Sequence, residues 1–397
     1  MINKKRWLLP EGVEELLPEP AWRLESFGRE LLDLYRSWGY QLVIPPFIEF
    51  LDSLLTGSGS DLDLQTFKLI DQMSGHLLGL RADMTPQMAR IDAHRLQREA
   101  PSRLCYLGTV LHTLPAGFST SRSPMQVGAE LFGHSGPESD VEILELMLAT
   151  LGLTGVRDVH IDLGHVGIYR GLARDADLDP EQEAILFDAL QRKAIPEVMD
   201  ILAELDLSTA QRERLAALAT LNGADEVLQE ARGRLQGCGK AAADALHNLL
   251  TIAALAARRL PGVPLHFDLA ELRGYQYQTG VVFAAFVADR GQEIARGGRY
   301  DEIGKVFGRA RPATGFSTDL RTLMQLGQRQ APVFPGMVLA PDEDDEALRQ
   351  AVSALRAEGV AVVQQLPGQS GTFAEMGCDR ILRRDGMNWV VEKIVQD

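Results

Sequence analysis

The sequence predicts an α+β protein in which an antiparallel sheet is flanked by helices, interrupted by a helical insertion and followed by a small α/β domain. Three stretches point there. Between residues 106 and 133 two apolar runs, 106–111 and 125–132, enclose the turn-rich PAGFSTSRSP, the pattern of a β-hairpin. Between residues 175 and 260 the composition shifts to Leu, Ala, Glu and Arg, and helix starts recur at Pro180, at Pro196 and in a capping box from Ser208 to Gln211. After the two prolines of RQAPVFPG the chain reads β, α, β, then a short α and β. At 397 residues the chain exceeds the length at which one core usually stops growing. The expected division is 1–174 and 261–330 for the two parts of the sheet core, 175–260 for the insertion, and 331–397 for the small α/β domain.

Charge narrows the function classes. Forty basic against 55 acidic residues leave a net charge of −15, which weighs against a nucleic-acid face because phosphate neutralisation needs clustered cations. No apolar run approaches the roughly 18 residues of a membrane helix, and MINKKRWLLPEG lacks a secretory core, so a cytoplasmic protein is expected. Cys105, Cys238 and Cys378 are far apart, form no CxxC pair and read as small buried hydrophobes. The histidines are dispersed, and neither a metal nor a cofactor is expected.

Taken in order, Leu24, Phe27, Leu31, Leu32 and Tyr35 repeat with a helical period that stops at Gly39, and a strand over 40–44 follows. The cluster Gly57 to Asp61 predicts a loop, and residues 67–80 a hairpin turning at Ser74 and Gly75. A helix then starts with Pro86 in its first turn, leaving Asp83 to cap it, to hold a ligand, or both. Over 136–153 a helix carries Glu138, Asp140 and Glu142 in its first turns, where the macrodipole favours acids, so they read as structural. Asp162 and His165 fall on a strand face and at the start of the next helix. Residues 264–291 predict two antiparallel strands turning at 289–291. The pair Gly297 and Gly298 fits either a close approach to a ligand or a strand bend.

The hairpin carries a polar set: His112, Arg122, Gln126 and Glu130. Gln126 and Glu130 are four apart in a strand and therefore share a face. Spacing alone fits a solvated face as well as a site. Wording separates the two. YLGTVLHTLPAGFSTSRSPMQVGAELFG resembles motif 2 of class II aminoacyl-tRNA synthetases in its histidyl form; RGYQYQTGVVF resembles the histidine-binding signature, GGRYDEIGKVFG with PATGFSTDLRTL the motif 3 region, LRADMTPQMAR the amino-acid-gripping loop, and PPFIEF the end of motif 1. The likeness runs in order over residues 8 to 325.

That resemblance implies an amino-acid pocket with Asp83 and Thr85 on the ammonium group, Arg273 on the carboxylate, and Gln126, Glu130 and Tyr277 around the imidazole. His112, Arg122 and Gln278 are candidates for additional pocket positions. It also exposes departures. The motif 2 arginine that grips the α-phosphate of ATP falls on His112, and a neutral imidazole lacks the permanent charge and fork of a guanidinium. The following acid and arginine positions hold Leu114 and Pro115, and the motif 3 arginine falls on Thr322 with Arg321 beside it, one residue round the helix. One tyrosine of the usual pair is Gln278, and the preceding aspartate is Gln276.

A kept amino-acid pocket with a disarmed nucleotide site is similar to one family, the regulatory subunits of ATP phosphoribosyltransferase, which are paralogues of the synthetase. This implies a subunit without catalytic residues of its own, a partnership with the short-form catalytic subunit in histidine biosynthesis, a homodimer within a hetero-oligomer, and histidine as effector. The alternative is an active histidyl-tRNA synthetase or another histidine-activating enzyme. The acidic PDEDDE loop in the last domain suits RNA poorly and weighs against it.

Overall fold

The computed structural model describes residues 7–56, 60–115, 121–272, 274–275, 277–288, 290–329 and 336–394. From the N-terminus come α1 (Pro18–Ser37), β1 (Gln41–Leu42), β2 (Ile48–Phe50), α2 (Leu51–Leu55), α3 (Ser60–Gln65), β3 (Lys68–Ile70), β4 (Leu77–Leu80) and α4 (Thr85–Arg90), which runs on into a π-helical turn, Ile91–Leu96. β5 (Ser102–Thr109), β6 (Met125–Phe132), α5 (Pro137–Leu153), β7 (Val159–His165) and α6 (Val166–Asp175) follow. The next stretch is mainly helical: α7 (Pro180–Gln191), α8 (Ile195–Glu204), α9 (Thr209–Leu218), the short β8 (Asn222–Gly223), α10 (Glu226–Arg234) and α11 (Lys240–Arg259). β9 (Leu265–Asp268), β10 (Val281–Val287), β11 (Ala295–Arg299), β12 (Ala313–Asp319) and α12 (Leu320–Leu326) complete a first compact unit that ends at Arg329.

Nine strands make its main sheet, in the order β1-β5-β6-β12-β11-β10-β7-β9-β8, antiparallel except for the β1–β5 and β7–β9 pairs. The sequence forms these elements for local reasons. α1 begins with proline in its first turn, buries Leu24, Phe27, Leu31 and Tyr35 as their spacing demands, and stops where Gly39 takes a φ of 83°. Capping boxes start α7 at Asp179 and α9 at Ser208. One face of the sheet packs on α1, α5, α6 and α11. The other carries a smaller cluster, Met84, Met88, Tyr106, Phe132 and Tyr300, beneath α4.

A buried ion pair ties the two parts of the sheet core together. Arg299, at the end of β11, lies against Asp140 in the first turn of α5 at 3.0 Å and also donates to His134 O, Gly136 O and Ser139 Oγ. Glu142, two residues on, accepts from both Arg103 and Tyr40. These acids are structural, as their position in the helix implies.

Four expectations are revised. Ser60 and Asp61 belong to α3 rather than a loop, while 57–59 lie outside the described residues. β1 spans two residues where five were expected. The strands flanking the Arg273 signature are not neighbours, because β7 lies between them, parallel to β9 and antiparallel to β10. In the second unit, β13 (Met337–Ala340), α13 (Glu346–Ala357) and β14 (Val362–Gln364) appear as read, but the rest forms a hairpin, β15 (Cys378–Asp385) and β16 (Asn388–Lys393), instead of a helix and a strand. The two-residue loop Gly386-Met387, with Gly386 at φ 60° in its first position, closes the hairpin. Among the described residues no helix is long and apolar enough to cross a membrane.

Removing one partner of a buried pair strands the other charge. Arg299→Ala is therefore expected to cost about 3–5 kcal/mol in urea denaturation, and a loss below about 1 kcal/mol would show that Asp140 finds water instead.

Candidate functional site

Glu130 lies on β6, 1% exposed, beneath the loop that leads into α4. Three hydroxyls surround it. Thr85 Oγ1 donates to Oε1 at 3.1 Å, Tyr106 donates to the same oxygen at 3.0 Å, and Tyr300 donates to Oε2. Burial still dominates and pushes the carboxyl from its ordinary 4.5 up to about 8, with the charge of Asp83 acting in the same direction. Room for the group comes from missing side chains. Gly315 pairs with Glu130 across β12, and a Cβ there would overlap Oε2; Gly128 faces Tyr106 in the same way.

Gln126, on the same face of β6, donates through Nε2 to Asp83 Oδ1 at 2.8 Å and accepts from Met84 N at 2.9 Å. Asp83 Oδ1 also accepts from Thr85 N at 3.0 Å, so it closes the turn that starts α4 while its carboxylate lines a cavity. Gln126 thus stands behind Asp83 and orients it.

The cavity encloses about 660 Å³, part of it open to solvent, and is walled by Asp83, Thr85, Glu130, Glu271, Tyr277, Gln278, Arg296 and Tyr300 over a floor of Gly297, Gly298 and Gly315. Both paired glycines lie against neighbouring strands, Gly297 against the backbone of β12 and Gly298 against Val281 O of β10, and a Cβ on Gly298 would also come within 2.7 Å of Gln278 Oε1. Gln278 is 5% exposed, and this oxygen has no partner among the described residues. A buried acceptor left unmatched is costly, and in a cavity it marks a place for a ligand's donor. Arg273 and Gln276 lie outside the described residues; Arg296 is the cation among the described wall residues.

His112 and Arg122 are not part of this wall. His112 Nε2 donates to Ala82 O at 2.9 Å, which fixes its tautomer and leaves Nδ1 buried without a partner among the described residues. Arg122 Nε donates to His112 O and Nη1 to Glu11 O, with the guanidinium 5.1 Å from the Phe67 ring. Both hold loop backbone. Thr322 bonds to Asp319, the cap of α12, and Arg321 is likewise absent from the wall. Sequence reasoning missed Tyr106, Tyr300, Glu271 and Arg296. A usable signal existed for the first: in the run Gln126, Gly128, Glu130 the glycine leaves space for a large cross-strand neighbour, and Tyr106 pairs with it. Among the described residues no group of three or more His, Cys, Asp or Glu could hold a metal ion.

The raised pKa of Glu130 has a stability consequence with a definite sign. Its contribution is full below the unfolded value of 4.5 and is lost as pH rises through about 8. The decline is at most about 1.4 kcal/mol per pH unit. Glu130→Gln should flatten it; urea titrations from about pH 5 to 9 that are equally steep in both proteins would contradict the assignment.

The chain matches the histidyl-tRNA synthetase family over residues 12–323 and the ATP phosphoribosyltransferase subunit HisZ C-terminal domain over residues 335–392. The ATP phosphoribosyltransferase regulatory subunit of Thioalkalivibrio sulfidiphilus is 59% identical over 392 residues, covering 98% of this chain and 99% of the relative. That of Pseudomonas syringae pv. syringae is 58% identical over the same spans. Among solved structures, an ATP phosphoribosyltransferase regulatory subunit/histidyl-tRNA synthetase from Bacillus halodurans aligns with a TM-score of 0.81 at 29% identity, covering 93% of this chain and 95% of its own. Histidyl-tRNA synthetase from Nostoc sp. PCC 7120 shares the fold, with a TM-score of 0.74 at 18% identity and coverage of 95% and 91%. Identity near 59% along the whole length, last domain included, distinguishes the subunit from the synthetase whose fold it shares. The chain belongs to the family of ATP phosphoribosyltransferase regulatory subunits, built on the class II synthetase fold.

Proposed function

We propose that this chain is the non-catalytic regulatory partner of a short-form ATP phosphoribosyltransferase catalytic subunit in the first step of histidine biosynthesis, and that its cavity takes histidine as feedback effector. The observation that carries the reading is the combination of an acid-lined amino-acid pocket with a phosphate position held by His112, whose Nε2 proton is committed to Ala82 O. The ammonium group of histidine would meet Asp83 and Thr85, and Arg273 its carboxylate. A neutral imidazole has one acceptor nitrogen and one N–H. The buried carboxyl of Glu130, protonated below about pH 8, supplies a donor, and Gln278 Oε1 an acceptor, with Tyr277 beside them. Gln126 keeps its role by orienting Asp83.

A homodimer within the hetero-oligomer accords with one face of the small β2-β4-β3 sheet, where Ile48, Phe50 and Leu69 lie side by side and exposed. The expected location of such a complex is the cytoplasm.

In the reconstituted complex, Asp83→Asn removes a charge-assisted contact and should weaken inhibition by histidine about ten- to hundredfold, and Glu130→Ala should relieve it, both with assembly intact. Unchanged inhibition in both would place the effector elsewhere. Affinity for histidine should also fall by up to about tenfold per pH unit above pH 8, as Glu130 loses the proton it donates. Calorimetric titrations showing equal affinity at about pH 7 and 9.5 would contradict that proton's role.

A further inference from the structure

The short turn that brings Tyr277 and Gln278 to the cavity also has a back. Gly274, in the left-handed region at φ 69°, accepts from Tyr277 N at 2.9 Å and Gln278 N at 2.8 Å, which closes the turn tightly. Tyr275 faces the helices instead of the ligand. Its hydroxyl donates to Glu183 Oε1 on α7, and its ring lies 5.0 Å from that of Phe187 on α7 and 5.6 Å from Tyr169 on α6. Arg170, also on α6, stacks on the Tyr275 ring at 4.5 Å while its Nη2 donates to Tyr275 O at 2.7 Å and Gln278 O at 3.3 Å. Tyr169 completes the clamp by donating to Glu183 O at 2.6 Å.

These contacts have a mechanical meaning. Arg170 Nη2 bridges Tyr275 O and Gln278 O, and Gly274 O accepts from Gln278 N, so Tyr275 and Gln278 are tied to each other by hydrogen bonds. A shift of Gln278 toward a ligand is passed to Tyr275, and Tyr275 is wedged among aromatic rings, where close packing admits only a few discrete placements. We propose that Tyr275 is a positioning residue that couples occupancy of the cavity to α7, so that the helical insertion is the element through which bound ligand is felt by the rest of the assembly. This rests on the histidine reading of the cavity and names the regulation of that site. It requires histidine to favour one placement of Tyr275 over another, a preference typically worth about 5- to 150-fold in linked affinity.

The test uses the reconstituted complex with wild-type chain, Tyr275→Phe and Glu183→Ala. Both variants remove the hydroxyl–carboxylate bond and keep the ring and the Arg170 stack. Histidine binding, maximal inhibition, and amide exchange over residues 180–191 are read in each. In the variants the Kd for histidine should stay within about threefold of wild type while maximal inhibition falls at least about fivefold. Exchange over 180–191 should slow with histidine in the wild-type complex and not in the variants. A merely structural tyrosine would lower affinity and inhibition together, and that result overturns the proposal, as does full inhibition in both variants or unaltered exchange in wild type. Absence of histidine binding by the wild-type chain overturns the histidine reading, and the coupling with it.

Discussion

A carboxyl group buried on the third strand of a nine-stranded sheet is the constraint to which the neighbouring elements answer. Glu130 can occupy that position because Gly315, paired with it across β12, leaves the space a side chain would fill. It is tolerable because Thr85, Tyr106 and Tyr300 donate to it from three different segments. Each donor fixes a register: β5 against β6, β11 beside β12, and the start of α4 over both. Arg299 on Asp140 then anchors β11 to α5, so Tyr300, the next residue, is delivered to the carboxyl by a second buried polar contact. Desolvation outweighs the three hydroxyls, and the group keeps its proton to about pH 8.

Such a site is suited to holding a polar ligand and poorly suited to activating it. Adenylation needs fixed positive charge where phosphate charge is redistributed. Here the motif 2 position is an imidazole bonded to a backbone carbonyl, and the motif 3 position is a threonine bonded to a helix cap. Around the cavity the charged side chains among the described residues are Asp83, Glu271 and Arg296, with Glu130 still protonated at neutral pH. On the proposed function, Asp83 meets the ligand's ammonium group and Glu130 its imidazole. On that reading the regulatory role follows from the same subtraction, since an unreacted amino acid can report its own concentration.

Much of this was legible in the residues. The hairpin, the shared face of Gln126 and Glu130, the capped helices of the insertion and the structural acids of α5 all follow from period and capping chemistry. The strand partners β7, β9 and β10 did not, because a parallel pairing across an intervening helical module leaves no local trace. His112 and Arg122 drew attention as polar residues in a motif, yet loop hydrogen bonds that no spacing encodes turn them to backbone. Tyr106 and Tyr300 were hidden for the opposite reason: aromatic residues in strands read as core, and only the glycines facing them show that their hydroxyls meet a buried carboxyl.

On the proposed function this pocket holds histidine without activating it. Histidine-dependent exchange of labelled pyrophosphate into ATP, measured on the purified chain beside an active histidyl-tRNA synthetase, tests it most directly. The account requires exchange indistinguishable from a blank in a preparation that still binds histidine by calorimetry. Appreciable exchange would show that adenylation survives the loss at His112 and would return the chain to the synthetases.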